Sequence, residues 1–311
     1  MYYHKAVLEN IVKELVTDYN GIYVDLTFGG GSHTKTLLSV LESKAKVFGF
    51  DCDEDTQTNV QYINDKRFRF IHANAIHVRQ FLEYYGINKV DGIFADLGVS
   101  SHQLDTPHRG FSTRFDGPLD MRMNKNTTLT AEYIVNNYSY NHLCDIFNNY
   151  GELENFEKIS SIIVSNREKH KILTTLELLN IIDKEIQIKT HNKPKFFAQV
   201  FQALRIEVNN ELYNLKKLLL LSEKLIKTDG KLIVLSYHSL EDRLVKYFMR
   251  SGNFTNTLNK DIYGNISRPF KMVNSKVITS NDSERLDNNR SRSVKCRIAI
   301  RTQDRIDNHQ L

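Results

Sequence analysis

Ile22-Tyr23-Val24-Asp25-Leu26-Thr27-Phe28-Gly29-Gly30-Gly31 decides how this chain folds. An apolar, β-branched run ends at a carboxylate and gives way within four residues to three glycines, so a strand turns abruptly. Glycine at such a turn admits positive φ and lets a ligand come close to the backbone. Beyond it, residues 35–41 keep the spacing of a helix.

The same alternation repeats outward. Residues 46–50 predict a second strand that ends at Asp51, residues 68–71 a third, and residues 91–97 a fourth that carries Asp96. Strands alternating with helical stretches imply a parallel sheet covered on both faces. Asp51 lies twenty residues past Gly31, where a carboxylate at a strand end can accept both hydroxyl protons of a ribose. An adenosine-type ligand at the sheet's carboxyl edge follows. A dinucleotide fits less well: starting at Gly29, the sixth position of its glycine fingerprint is Thr34, and Asp25 would repel a pyrophosphate. A ligand with a cationic sulfonium and an amino-acid tail suits the carboxylate better. In a doubly wound sheet Asp96 then borders that ligand on the substrate side. If a methyl group passes to an aromatic amine, the amine lone pair must be held in line and freed from the ring. Asp96 and the hydroxyls of Ser100 and Ser101 are candidates to accept the N–H. The plainer alternative is that Asp96 only contacts the cofactor and the serines cap a helix.

Residues 98–128 are turn-rich and charged, and residues 129–189 have helical spacing. A single long helix is expected from near Phe197, through Phe201, Leu204, Val208, Leu212, Leu215 and Leu219, to a stop at Asp229-Gly230. Residues 231–237 return to strand, Ser239 with Asp242 caps another helix, and after an Asn-rich stretch residues 294–301 alternate as a last strand. The predicted fold is α/β, a Rossmann-like sheet with an inserted helical domain. Residues 1–105 and 201–311 form the discontinuous sheet domain and residues 106–200 the mainly helical insert.

The 311 residues carry 42 Lys+Arg against 37 Asp+Glu, a net charge of +5. That balance is compatible with a nucleic-acid partner without requiring one. Cys52, Cys144 and Cys296 show no CxxC spacing, so neither a disulfide framework nor a zinc site is expected, and no metal. The N-terminus lacks a signal pattern, and residues 215–226 are too short and too charged to span a bilayer, which needs roughly 20 apolar residues. A soluble cytoplasmic protein with no membrane partner is expected; a homodimer is compatible with the sequence but not required by it.

Six strings go further. They are Asp96-Leu97-Gly98-Val99-Ser100-Ser101-His102-Gln103, Arg109-Gly110-Phe111-Ser112, Asp116-Gly117-Pro118-Leu119-Asp120-Met121-Arg122-Met123, Phe201-Gln202-Ala203-Leu204-Arg205-Ile206, His238-Ser239-Leu240-Glu241-Asp242-Arg243 and Asn289-Arg290-Ser291-Arg292-Ser293. In this order, from about His4 to Arg301, they resemble the bacterial 16S rRNA (cytosine-N4)-methyltransferases, which use S-adenosylmethionine. The resemblance implies N4 methylation of a decoding-centre cytidine in small-subunit rRNA, and a methyltransferase sheet with an inserted substrate-recognition domain. It implies cofactor contacts at Gly31, Ser32, His33, Asp51, Ala75, Asp96 and Gln103. Ser32 stands where the family has glycine, and Ala75 follows a usually aromatic position. Catalysis would fall to Asp96, with Ser100 beside it. Arg109, Arg122 and His238 are candidates to touch the RNA; so are Arg114, Lys125, Arg205, Arg243, Arg290 and Arg292, although local ion pairs such as Asp120 with Arg122 compete with that use. Phe111 and Phe115 could stack on an extruded base or fill a small core. Two rivals remain: a ribosome-assembly factor that binds RNA without catalysis, and a DNA amino-methyltransferase. The second typically carries a Pro-Pro string after its fourth strand, whereas Asp96-Leu97-Gly98-Val99 has no proline.

Overall fold

The computed structural model describes residues 7–303 apart from 187, 261, 262, 265 and 275, and at 287, 289 and 290 the backbone alone. His4 and the Arg290 side chain therefore lie outside the described structure. Among the described residues seven strands form one sheet in the order β3-β2-β1-β4-β5-β7-β6. They are β1 (Ile22–Asp25), β2 (Lys46–Asp51), β3 (Phe68–His72), β4 (Val90–Asp96), β5 (Ile226–Ser236), β6 (Phe270–Met272) and β7 (Lys295–Arg301). The first five pair in parallel, and β7 runs antiparallel to both β5 and β6. The winding reverses between β1 and β4, the switch point at which such sheets hold ligands beyond the carboxyl ends of their strands.

Successive residues feed opposite faces of this sheet. Val24, Phe48, Ile93 and Val234 belong to one buried cluster, while their neighbours Tyr23, Val47, Phe94 and Ile233 belong to another. Burial on both faces explains why the central strands are continuously apolar rather than alternating. On the first face lie α3 (Val78–Tyr84), α10 (Glu211–Leu225) and α11 (Ser239–Ser251), through Val78, Leu82, Leu215, Leu219, Val245 and Phe248. On the second lie α1 (Ser32–Leu38), through Leu37 and Leu38, and the short turn Glu9–Leu15. Two short helices, α2 (Gln57–Val60) and α12 (Asp282–Asp287), complete the helices of this part of the chain.

Two compact units are present. One comprises Met1–Gly98 with Tyr213–Leu311, the other Val99–Leu212. These boundaries differ from the expected 105/106 and 200/201. The second unit has its own core, to which Phe201, Leu204 and Val208 contribute and against which Val99 and Leu104 pack. Those contacts carry α4 (Ser101–Asp105) and α9 (Lys193–Asn209) into the helical unit, together with α5 (Ala131–Asn137), α6 (Tyr140–Asn149), α7 (Phe156–Arg167) and α8 (Thr175–Glu185).

Four local expectations need correction. The single long helix is two, parted at Asn210, which closes α9 with φ 52 in the left-handed region. Asp229-Gly230 does not end a helix; it lies inside β5, where Asp229 has φ 65 and the pairing with β4 shifts register between Val90 and Gly92. A Cβ on Gly230 would stand 2.6 Å from the Asp91 carbonyl, so glycine is needed there to bring the strands together. Ser239 is the first residue inside α11 rather than its cap, because His238 takes the N-cap position. Strand β6 hides in the Asn-rich stretch, at three residues too short for a periodic signal. No described helix is long and apolar enough to cross a membrane.

Candidate active site

Register sets the site. Asp25 pairs with Gly49 of β2 and with Phe94 of β4, so Asp51 and Asp96 both stand two residues further along, one on each side of the glycine turn. The chain after β1 remains stitched to its neighbours: Leu26 N–H donates to Phe94 O at 2.9 Å, and Phe28 N–H to Phe50 O at 2.9 Å. Gly29 and Gly31 then take φ 50 and 75. At Gly31 a Cβ would come within 2.9 Å of the Phe28 ring, which is itself wedged against Phe68 at 5.3 Å and Phe70 at 5.1 Å. Residue 31 is thus glycine for two reasons, its backbone and its neighbour.

Asp25 is 1% exposed. Its Oδ2 accepts from the Thr34 hydroxyl at 2.7 Å and its Oδ1 from Thr27 N–H at 3.1 Å, so it locks the start of α1 to the end of β1. Burial pushes its carboxyl above the usual range, against the opposing pull of His33 and Thr34. Asp51 is held differently. Gly29 N–H reaches Oδ2 at 2.8 Å and Asp53 N–H reaches Oδ1 at 2.9 Å. Each oxygen keeps a second lone pair, and burial raises this carboxyl to about 6. Asn59 closes the loop by donating from Nδ2 to Gly29 O at 3.0 Å.

Asp96 ends β4 half-buried. Its N–H donates to the Thr27 hydroxyl at 2.6 Å, and its Oδ1 accepts from the Tyr237 phenol at 2.6 Å. Tyr237 follows β5 directly, and its N–H donates to Glu241 Oε2 at 2.9 Å. His238 Nε2 is 3.2 Å from Glu241 Oε1 but outside hydrogen-bonding geometry, and both ring nitrogens are buried without a hydrogen-bond partner among the described residues.

The other expected residues fall in varied places. His33 Nε2 lies 3.0 Å from the Val7 carbonyl, and its ring packs on Phe94 at 4.5 Å, so the imidazole is committed away from the turn. Ser32 opens α1, and its Oγ is buried with no partner among the described residues. A ligand with a polar tail beside the turn would satisfy that hydroxyl, so the residues present fit an adenosyl cofactor. Ala75 begins the turn Ala75–His77 beyond the carboxyl end of β3.

In the helical unit Ser100 is the N-cap of α4. Its Oγ accepts Gln103 N–H at 3.1 Å while Gln103 Oε1 accepts Ser100 N–H at 2.9 Å, a capping box. Ser100 thus caps a helix, as one of the two readings of the serines expects. Arg109 is 2% exposed and donates to the Arg122 and Met123 carbonyls. Arg122 grips Asp120 at 2.8 and 2.7 Å and donates to the Lys125 and Thr127 carbonyls. Both guanidiniums brace the 106–128 loop, and the ion pair expected between Asp120 and Arg122 is present. Phe111 belongs to the core of this unit, whereas Phe115 is exposed, with Arg114 over its ring at 5.3 Å. Arg205 is paired with Glu211 at 2.7 Å, and Arg243 and Arg292 are exposed. Sequence reading passed over Tyr237, Thr27, Thr34 and Asn59. Only Tyr237 carried a signal, a polar aromatic closing an otherwise apolar strand at the functional edge of the sheet.

Residues 1–302 match the family described as the MraW methylase family. A protein of Amoebophilus asiaticus named ribosomal RNA small subunit methyltransferase H is 48% identical over 97% of this chain and 96% of its own length. A protein of the same name from Phocaeicola vulgatus is 48% identical over 96% of this chain and 97% of its own length.

Proposed function

The chain belongs to the MraW methylase family, and from that premise we propose that it methylates the N4 amino group of a decoding-centre cytidine in 16S rRNA. S-adenosylmethionine is the methyl donor; when bound, it supplies an electrophilic methyl group on a sulfonium. The observation that carries the reading is the flanking of the glycine turn by Asp51 and Asp96 at equal height. The relatives' names speak for small-subunit rRNA as the partner; the N4 amine rests on the strings quoted above and on an acceptor at Asp96. The reaction belongs in the cytoplasm, with no membrane partner.

Asp51 is the acceptor for the ribose hydroxyls, already oriented by two backbone N–H groups. Gly31 leaves the backbone open to close approach, and the Ser32 hydroxyl and the adjoining His33 backbone face the start of α1, while Ala75 lies beyond β3 on the adenine side. Gln103, whose amide oxygen serves the capping box, stays a cofactor contact on resemblance alone. Asp96 accepts an N–H of the exocyclic amine and turns its lone pair toward the methyl group. His238, whose buried Nδ1 has no hydrogen-bond partner among the described residues, is offered to the polar edge of the base. The helical unit is the substrate-recognition part.

Nucleoside analysis of small-subunit rRNA from a strain lacking the gene tests this reading. Loss of N4-methylcytidine, restored by the wild-type gene but not by Asp96→Ala, is expected. An unchanged N4-methylcytidine content would sink it.

A further inference from the structure

We propose that Tyr237 is a positioning residue for methyl transfer, fixing the Asp96 carboxylate so that Oδ2 is the oxygen presented to the amine. The inference rests on the role given to Asp96 above. A carboxylate at a strand end turns about two side-chain bonds, and an acceptor free to turn orients a lone pair poorly. Here Oδ1 is taken by the Tyr237 phenol at 2.6 Å, within the range of the short, strong bonds that O–H donors make to carboxylates.

Tyr237 is itself pinned at both ends. Its backbone N–H is bound to Glu241 Oε2, and Glu241 is only 2% exposed. Its ring lies against Gly98, where a Cβ would sit 3.5 Å away, and Gly98 has φ +85. Strand pairing keeps the two residues in register, since Asp96 is opposite Leu235, two residues before Tyr237. The phenol thus arrives from just beyond β5 at the carboxylate that ends β4. A phenylalanine would keep the ring and lose the hold on Oδ1.

The test is Tyr237→Phe in the full-length protein, alongside Asp96→Ala and the double variant. A hydrogen bond to a charged group corresponds to about a tenfold to hundredfold change. The expected result is a kcat for rRNA methylation lowered about tenfold or more, with an unchanged melting temperature and with S-adenosylhomocysteine affinity by calorimetry and KM for rRNA within about twofold of wild type. In single-turnover kinetics, Tyr237→Phe is expected to add little further loss on top of Asp96→Ala, because the proposed effect of the phenol on methyl transfer runs through that carboxylate. Defects that multiply in the double variant, or a Tyr237→Phe enzyme with wild-type kcat, overturn the proposal. If Asp96→Ala is itself fully active, the reading of Asp96 has failed and Tyr237 falls with it. If Asp96→Ala is inactive and Tyr237→Phe is unimpaired, the inference about Tyr237 alone fails.

Discussion

At the scale of single residues, Asp51 joins affinity to pH. Burial raises its carboxyl to about 6 from an ordinary 3.8, so the folded protein favours the neutral form. The stability this contributes is fully present below the ordinary value and is lost as pH rises through about 6. At neutral pH the ionised Asp51 is thus a poorly solvated group, which the ribose hydroxyls of the proposed complex would relieve. Affinity for S-adenosylhomocysteine is expected to fall as pH drops below about 6, approaching tenfold per pH unit. Calorimetry between pH 5 and 8 checks this; a flat profile would show that the hydroxyls do not depend on the ionised carboxylate. Asp51 was legible in the sequence because its distance from the glycines is set by one βαβ unit. The bonds that orient it were not, since they come from backbone N–H groups at Gly29 and Asp53, which every residue type but proline provides.

Among the elements, the loop from 106 to 128 is the part whose chemistry the sequence disguised. Arg109 and Arg122 donate to main-chain carbonyls of this loop, contacts that leave no mark in the sequence. A loop with few backbone partners of its own must find them in side chains, and local charge pairing cannot be told from ligand binding without coordinates. Backbones crowd here too: a Cβ on Gly117 would stand 1.9 Å from the Pro107 carbonyl. Gly117→Ala is therefore expected to destabilise by about 2–4 kcal/mol in denaturant unfolding. Thr174→Ala, which removes the capping box at the start of α8, should cost only about 1 kcal/mol. Equal effects would mean that the loop yields where the backbone contact says it is rigid. The parallel strands β1, β2 and β4 were readable because burial on both faces makes them largely apolar runs, whereas the helix break at Asn210 rests on a single left-handed residue.

Across the whole molecule, the buried clusters respect the two units. Every residue of the helical core lies between Phe111 and Val208, and none of the sheet's two clusters does. Leu178→Ala, at a fully buried position of the helical core, is expected to cost about 2–5 kcal/mol. It should lower one thermal transition and rRNA methylation at elevated temperature, while the affinity for S-adenosylhomocysteine at 25 °C stays within about twofold of wild type. A matching loss of cofactor affinity would refute the independence of the cores. The two units were visible in the sequence as a change of periodicity, but their edges were not. Ser101–Asp105 and Lys193–Asn209 have the spacing of any amphipathic helix, and only packing reveals which core they serve.

Strand order also has a consequence in time. Strand β4 pairs on one side with β1 and on the other with β5, yet β5 begins at Ile226, beyond the whole helical unit. At about 5–20 residues per second, ribosomal synthesis leaves the β5-side edge of β4 open for on the order of ten seconds after Asp96 is made. The 99–212 segment is continuous and can close around its own core in that interval. Nascent chains with residues up to 225 outside the ribosome should therefore show protease protection within 99–212 and exposure within 22–96; equal protection of both would contradict that order. Strand β4, which carries Asp96, gains its second neighbour only after the helical unit has been made, so that unit can be folded before the edge of the sheet at Asp96 is complete.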